Sequence, residues 1–334
     1  MLFRLAALVL AIPLGLDLYM PVPEANPLTR ERIEIGRKLF HDRRLSRDRS
    51  ISCASCHDPD RAFTDGRPVA IGISRRLGRR SAPTLVNRGY GRAFFWDGRA
   101  ATLEAQVLQP IQDPNEMDMT LPEVSARVGL PSGEIASALA SYVRSILSGN
   151  SRFDRYAAGD RRALSAAQHE GLQVFRGKGH CTACHVGPTF SDGQFHNTGI
   201  AWRAPSGGGP AAFQDEGRFE VTGRPEDHGA LKTPTLREIA RTAPCMHDGS
   251  LLTLEEVIDY YDRGGNPAPG LDRELRPLRL TGREKQAIVE FLKALSGRIQ
   301  EGVEHGDERR PRSAISNARE RGTGRETPST APTA

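Results

Sequence analysis

The feature that most constrains this chain is the pentapeptide C-x-x-C-H, present twice, as CASCH at Cys53 to His57 and as CTACH at Cys181 to His185. That spacing lets two thiols add across the vinyl groups of a haem, and it sets the following histidine where its imidazole can bind the iron. A lone C-x-x-C also suits a redox dithiol or half of a zinc site. Here the two pentapeptides use four of the five cysteines, and no further Cys/His pairing completes a zinc site. The expectation is two covalently bound c-type haems, on Cys53, Cys56 and His57 and on Cys181, Cys184 and His185. The hydrophobic fraction, 38% of 334 residues, is lean, and a tethered haem would supply apolar core to compensate.

One plan is laid down twice. Leu28-Thr29 opens a helical stretch that reaches Gly36 and Leu39-Phe40 before the first haem motif. Leu164-Ser165 opens another, with the capping box Ser165-x-x-Gln168, that reaches Gly171 and Val174-Phe175 before the second. Each half then closes with an amphipathic helix, over residues 138–149 and 287–297, the latter behind a capping box at Thr281-x-x-Glu284. Helix, haem motif, long insert and closing helix in that order resemble a cytochrome c fold. The expected architecture is mainly α, with cytochrome c-like domains over residues 21–155 and 156–300 that meet in the polar stretch from Ser148 to Arg162.

Residues 1–20 carry one early arginine and then an apolar run too short to span a bilayer comfortably, which reads as a signal peptide or an N-terminal anchor. Haem is joined to such motifs outside the bacterial cytoplasm, so an exported, periplasmic protein is expected. The net charge of +5 owes much to Arg75, Arg76, Arg79 and Arg80 and to residues 301–334, which lack apolar periodicity and read as a disordered tail. Such runs are solvated surface, and nucleic acid is not an expected partner.

Between and after the haem motifs stand DGRPVAIG, SAPTLVN, FWDGRA, QPIQDPNEM, KTPTLREIARTAPCMHDGS and TLEEVIDYYDRGG. With these motifs in this order, residues 29–297 resemble the bacterial di-haem cytochrome c peroxidase and MauG family. The resemblance implies that His57 holds the iron of a peroxidatic haem, with Glu116 and Gln106 on its distal side and Pro110 shaping that pocket. It places Trp96 between the haems as a charge relay. A carboxylate there can take a proton from peroxide and return it to the departing oxygen. Without the motif, Glu116 would pass for a solvated loop residue and Trp96 for a core aromatic.

Two departures bear on mechanism. The loop position from which many of these peroxidases draw a histidine to block the peroxidatic iron holds Ile73, and no histidine lies between His57 and His169. The first iron is therefore expected to be five-coordinate in the oxidised state. The family's sixth ligand to the second iron is methionine or tyrosine, and the corresponding position carries Tyr261, with Met246 a rival. Leu254, Val257, Ile258 and Tyr261 share one helical face, so a packed core tyrosine is the ordinary alternative. An anionic oxygen donor favours higher iron oxidation states, which points toward MauG-like work. The tryptophan found in MauG two residues before its second motif is here Gly179. The resemblance also implies a calcium ion at Thr242 and Pro244, weakened because Ser81 replaces an asparagine. Cys245 reads as a small buried hydrophobe, and His247 and Arg237 as structural or haem-propionate contacts.

These readings converge on a peroxidase that reduces hydrogen peroxide. Its electrons would come from a small c-type cytochrome or copper redox protein, or from a side chain of a protein substrate. The alternative is a non-catalytic di-haem electron carrier with both irons six-coordinate.

Overall fold

Thr29 starts the first helix, α1 (Arg30–Phe40), its side chain accepting from the Arg32 N–H. Ile33, Gly36, Leu39 and Phe40 fall on one face of α1 and are buried. The structure is a computed structural model and describes residues 10–204 and 208–302. The first nine residues of the expected leader and the tail from residue 303 lie outside the described residues.

Further helices follow in the first half: α2 (Leu103–Gln112), capped by Thr102; α3 (Leu121–Val128), with a Thr120/Glu123 capping box; and α4 (Ser132–Arg144). A short strand, β1 (Leu147–Gly149), leads to α5 (Arg152–Ala157). The second half opens with α6 (Ala166–Arg176), carrying the expected Ser165/Gln168 capping box. The strands β2 (Phe195–Asn197), β3 (Trp202–Arg203), β4 (Ala212–Phe213) and β5 (Ala230–Lys232) pair as two small antiparallel ladders, β2 with β5 and β3 with β4. Between β4 and β5 lies α7 (Phe219–Thr222), and after β5 come α8 (Leu254–Asp262), α9 (Gly282–Lys293) and β6 (Arg298–Gln300). Among the described residues the fold is mainly helical, as expected. No described helix is long and apolar enough to cross a membrane.

The repeat is visible in the packing. In the first half α1 crosses α4 at Gly36, where an added Cβ would lie 2.0 Å from the Ala138 carbonyl oxygen; in the second, α6 crosses α9 at Gly171, with the Ala287 oxygen at 1.9 Å. Each crossing is flanked by an aromatic trio. Phe40 meets Phe63 and Tyr142 with ring centroids 6.2 and 5.0 Å away, and Phe175 meets Phe190 and Phe291 at 6.3 and 5.1 Å. A Cβ at either glycine would force the backbones apart and loosen the trio beneath.

The closing helices begin and end earlier than their sequence pattern suggests, starting at Ser132 and Gly282. They end at Arg144 and Lys293, and the residues after them become β1 and β6, paired antiparallel with Leu147 opposite Gln300 and Gly149 opposite Arg298. Tertiary pairing outweighs the helical period here because the backbones fit closely: a Cβ on Gly297 would sit 2.1 Å from Gly149 O. The Asn87 side chain also donates to Ser148 O and accepts from Ser148 N–H, at 3.0 and 2.9 Å. The fully buried Glu238 accepts from the Gly297 N–H at 2.7 Å and from the Ser148 hydroxyl.

Part of the expected leader is packed. Leu14 O accepts from the Asn150 N–H at 2.8 Å, and Gly15 O from Arg237 Nη2 at 2.9 Å.

Candidate active site

Both C-x-x-C-H segments fold as the same single turn, closed by His57 N–H to Cys53 O and by His185 N–H to Cys181 O, each 2.9 Å. The turn sets two thiols and an imidazole on neighbouring positions, and all four thiols are free. Nδ1–H of His57 donates to Phe63 O at 3.1 Å, and Nδ1–H of His185 to Phe190 O at 2.9 Å. The two accepting residues hold left-handed backbone, φ 61° at Phe63 and 52° at Phe190, a conformation that costs energy for an aromatic residue and turns its carbonyl to the ring. With Nδ1 committed, Nε2 keeps its lone pair for a metal. Burial holds both imidazoles below their ordinary pKa, so they stay neutral, as a ligand must. Paired free thiols and an oriented neutral imidazole are the donor set a c-type haem requires, and the residues fit that group at both positions.

Cys181, Cys184 and His185 line a large, mostly apolar cavity. Leu254, Val257, Ile258 and Tyr261 of α8 form part of its wall, so the helical face read from the sequence is the face turned to the cavity. Burial drives the Tyr261 phenol above its ordinary pKa. Tyr260 faces elsewhere: it is 1% exposed, donates from its hydroxyl to Thr198 O at 2.8 Å and accepts from the Asn266 N–H. Met246 lines the same cavity. Ser81, Thr242 and Pro244 line it too, and their oxygens are neutral, whereas calcium sites gain affinity from carboxylates.

Trp96 stands in this wall. Its Nε1–H donates to Ser81 O at 2.9 Å, its ring meets His247 edge-on with centroids 6.4 Å apart, and its carbonyl accepts from the Lys232 N–H at 2.8 Å. Behind it lies a network with no local mark in the sequence. Arg80 grips Asp215 through Nε and Nη2, both at 2.7 Å, and gives Nη1 to Asp97. Burial raises Asp215, but the Arg80 guanidinium outweighs it and holds the carboxyl down at about 2. Arg237 is structural. It and Asp154 are each 1% exposed on their side chains and 2.6 Å apart, and it also donates to Pro188 O and Gly15 O. Cys245 is buried, as read.

Two other predicted residues, Pro110 and Glu116, line a more open pocket formed with Arg99, Gln109, Gln112 and Asp113. Glu116 and Pro110 are brought together there, while Gln106 lies one turn earlier on α2, outside the lining. Burial pushes the Glu116 carboxyl up to about 7, with Asp113 adding to the shift and Arg99 opposing it. Its charge also reaches the thiols of Cys53 and Cys56. Ile73, 3% exposed, donates its N–H to Glu116 O at 2.9 Å. The preceding Gly72 has no room for a side chain, since a Cβ would lie 1.9 Å from Asn115 O. The loop that ends in Arg75 and Arg76 thus brings an aliphatic residue, not a ligating one, to the backbone of Glu116.

Comparisons with known proteins point to one family. Residues 30–132 match the family model described as di-haem cytochrome c peroxidase. Methylamine utilization protein MauG of Methylorubrum extorquens is 38% identical over 294 residues, 83% of this chain and 81% of that protein. Cytochrome-c peroxidase IdrP2 of Denitromonas iodatirespirans is 37% identical over 313 residues, covering 83% of this chain and 84% of that one. Among solved structures, a MauG-like protein associated with microbial copper homeostasis superposes with a TM-score of 0.76 at 34% identity, over 86% of this chain and 93% of that one.

Proposed function

The chain belongs to the di-haem cytochrome c peroxidase and MauG family and is a peroxidase, and from that premise we propose how its residues divide the work. Each half is a cytochrome c-like domain with one covalent haem, joined through Cys53 and Cys56 with His57 on its iron, and through Cys181 and Cys184 with His185 on the other. When bound, the haems supply the redox-active irons and the two electrons that reduce hydrogen peroxide to water.

The observation that carries the division is Glu116, a half-buried carboxyl raised to about 7 whose charge reaches Cys53 and Cys56 and whose backbone is held by Ile73. At neutral pH such a group both accepts and gives up a proton readily. Glu116 takes a proton from hydrogen peroxide at a carboxylate oxygen and returns it to the departing oxygen. Pro110 shapes the mouth of the pocket, and Gln106, one turn back on α2, offers an amide to the same proton path. Ile73 keeps the pocket free of a competing ligand, so peroxide has access in the oxidised enzyme. Trp96, fixed at Nε1 by Ser81, relays charge between the two halves. On the second side, Tyr261 would give its phenol oxygen to the iron that His185 would hold, a reading supported by its place in the cavity wall while Tyr260 is hydrogen-bonded elsewhere. The calcium ion that the resemblance implies would be held by oxygens of Thr242 and Pro244, weakly for want of a carboxylate.

We place the enzyme in the periplasm, where covalent haem proteins are assembled. Its reductant is a small c-type cytochrome or copper redox protein, or a side chain of a protein substrate. The test is electron paramagnetic resonance of the oxidised holoenzyme, where a high-spin ferric signal that peroxide abolishes is expected. Turnover with a reduced c-type cytochrome, set against mass spectrometry of a candidate protein substrate, then separates the two reductants. Two low-spin signals and no high-spin one would leave only the electron-carrier reading.

A further inference from the structure

The cavity beside His185 has two cations in its wall that no carboxylate among the described residues pairs with. Lys232, the last residue of β5, is 9% exposed, and its Nζ has only Thr233 O, at 3.4 Å, beyond the usual range of a hydrogen bond. Arg88 gives Nη2 to Ala93 O at 2.9 Å and lies over the Phe94 ring, its CZ atom 5.1 Å from the centroid. Among the described residues neither forms an ion pair. Other sequestered arginines are matched: Arg80 by Asp97 and Asp215, Arg144 by Glu104, Arg237 by Asp154. Burial pushes Arg88 down to about 10, and burial first, then the charge of Arg88, pushes Lys232 well below its ordinary value. The charge of Asp192 also reaches Lys232, but that carboxylate is engaged by His196 Nε2 at 3.0 Å.

Buried charges persist in folded proteins when they are paired. Two cations that repel each other across a ligand cavity therefore call for an anion in that cavity. Both line the space shared by Cys181, Cys184, His185 and Trp96, and the Lys232 N–H is fixed on Trp96 O. We propose that Lys232 and Arg88 form the receptor for the propionate carboxylates of the haem joined at Cys181 and Cys184, setting that haem with its carboxylate edge toward Trp96. The proposal rests on the reading that a haem is joined there. Lys232 contributes a point charge and Arg88 a planar fork, two complementary ways to hold carboxylates. They act on the haem as positioning residues, not as catalytic ones. By neutralising the propionates they also raise the reduction potential of the second iron.

The test uses holoenzyme shown by mass to carry two haems. In Lys232→Met the propionates lose a counter-charge, so the oxidised form gains. The low-spin haem should shift its oxidation equilibrium at least tenfold toward ferric, a fall of about 59 mV for one electron, and its resonance Raman propionate bending band should move. Lys232→Arg should restore both, which a merely structural role does not require, and Arg88→Gln, which keeps a hydrogen-bonding side chain, should lower the potential in the same sense. An unchanged potential and band in Lys232→Met, or a shift confined to the high-spin haem, overturns the proposal. If Lys232→Met does not load haem, Arg88→Gln decides by the same two readouts. Wild-type protein without haem on Cys181 and Cys184 overturns the underlying reading, and this proposal with it.

Discussion

Replacing Glu116 by glutamine separates its chemical role from its energetic cost, because the two have opposite signs. The carboxyl is raised from an ordinary 4.5 to about 7, chiefly by burial. A raised carboxyl makes the native state bind more protons than the unfolded one between those values, so stability falls as pH rises from about 4.5 to 7 and stays low above. At 1.36 kcal/mol per pH unit the loss amounts to about 3 kcal/mol. Glu116→Gln removes it. The variant should therefore be more stable than wild type at pH 8, by up to about 3 kcal/mol in urea melts, and equal to it at pH 4. Its activity should move the other way. For the wild type, kcat/KM for peroxide should rise along an acid limb with a midpoint near 7, since the ionised carboxylate is the proton acceptor. Glutamine should abolish that limb and lower the plateau by roughly 10²–10⁴-fold, the usual worth of a positioned acid–base group. An acid limb that survives in Glu116→Gln assigns the titration to another group and refutes the reasoning. So does a variant that is no more stable at pH 8 than wild type.

Other perturbations test the frame and the second side. Gly171→Ala puts a methyl 1.9 Å from Ala287 O and should cost about 3 kcal/mol or more by urea melt, whereas Gly133→Ala, with open space around it, should stay within about 0.5 kcal/mol. Tyr261→Phe should change the low-spin resonance of the holoenzyme; Tyr260→Phe should leave that signal alone and cost about 1 kcal/mol of stability through its lost bond to Thr198 O. Arg237→Met strands the buried Asp154 carboxylate and should destabilise by roughly 3–5 kcal/mol in urea melts, with the peroxide-sensitive high-spin signal retained wherever the protein remains folded.

The features legible in the sequence are those encoded within a few residues. Ser165 with Gln168 and Thr281 with Glu284 start α6 and α9 because a capping box closes on itself. The C-x-x-C-H turns are local for the same reason, and the face of α8 that carries Tyr261 follows from its helical period. Gly36 and Gly171 mark equivalent points of the repeat, although only the packing explains why both are glycine. Leu147-Ser148-Gly149 has no alternation to announce a strand, and its partner lies in the other half. Arg80 with Asp215, and Arg237 with Asp154, are joined only by the fold, across 135 and 83 positions. That Lys232 and Arg88 form no ion pair among the described residues is still less visible, since it can be seen only once the described carboxylates have been placed.

Pairing of β1 with β6 closes a loop of about 150 residues, at an entropic cost of roughly 4 kcal/mol on the (3/2)RT ln n scale. A chain made from its N-terminus leaves Ser148 without a strand partner until Ile299 has been synthesised. The half that carries Glu116 and His57 therefore stays unlatched until nearly all of the second half has been made. The latch also makes that half hostage to distant sequence: loss of Arg298–Gln300 removes nothing from the pocket at Glu116, yet frees the edge of the half that holds it.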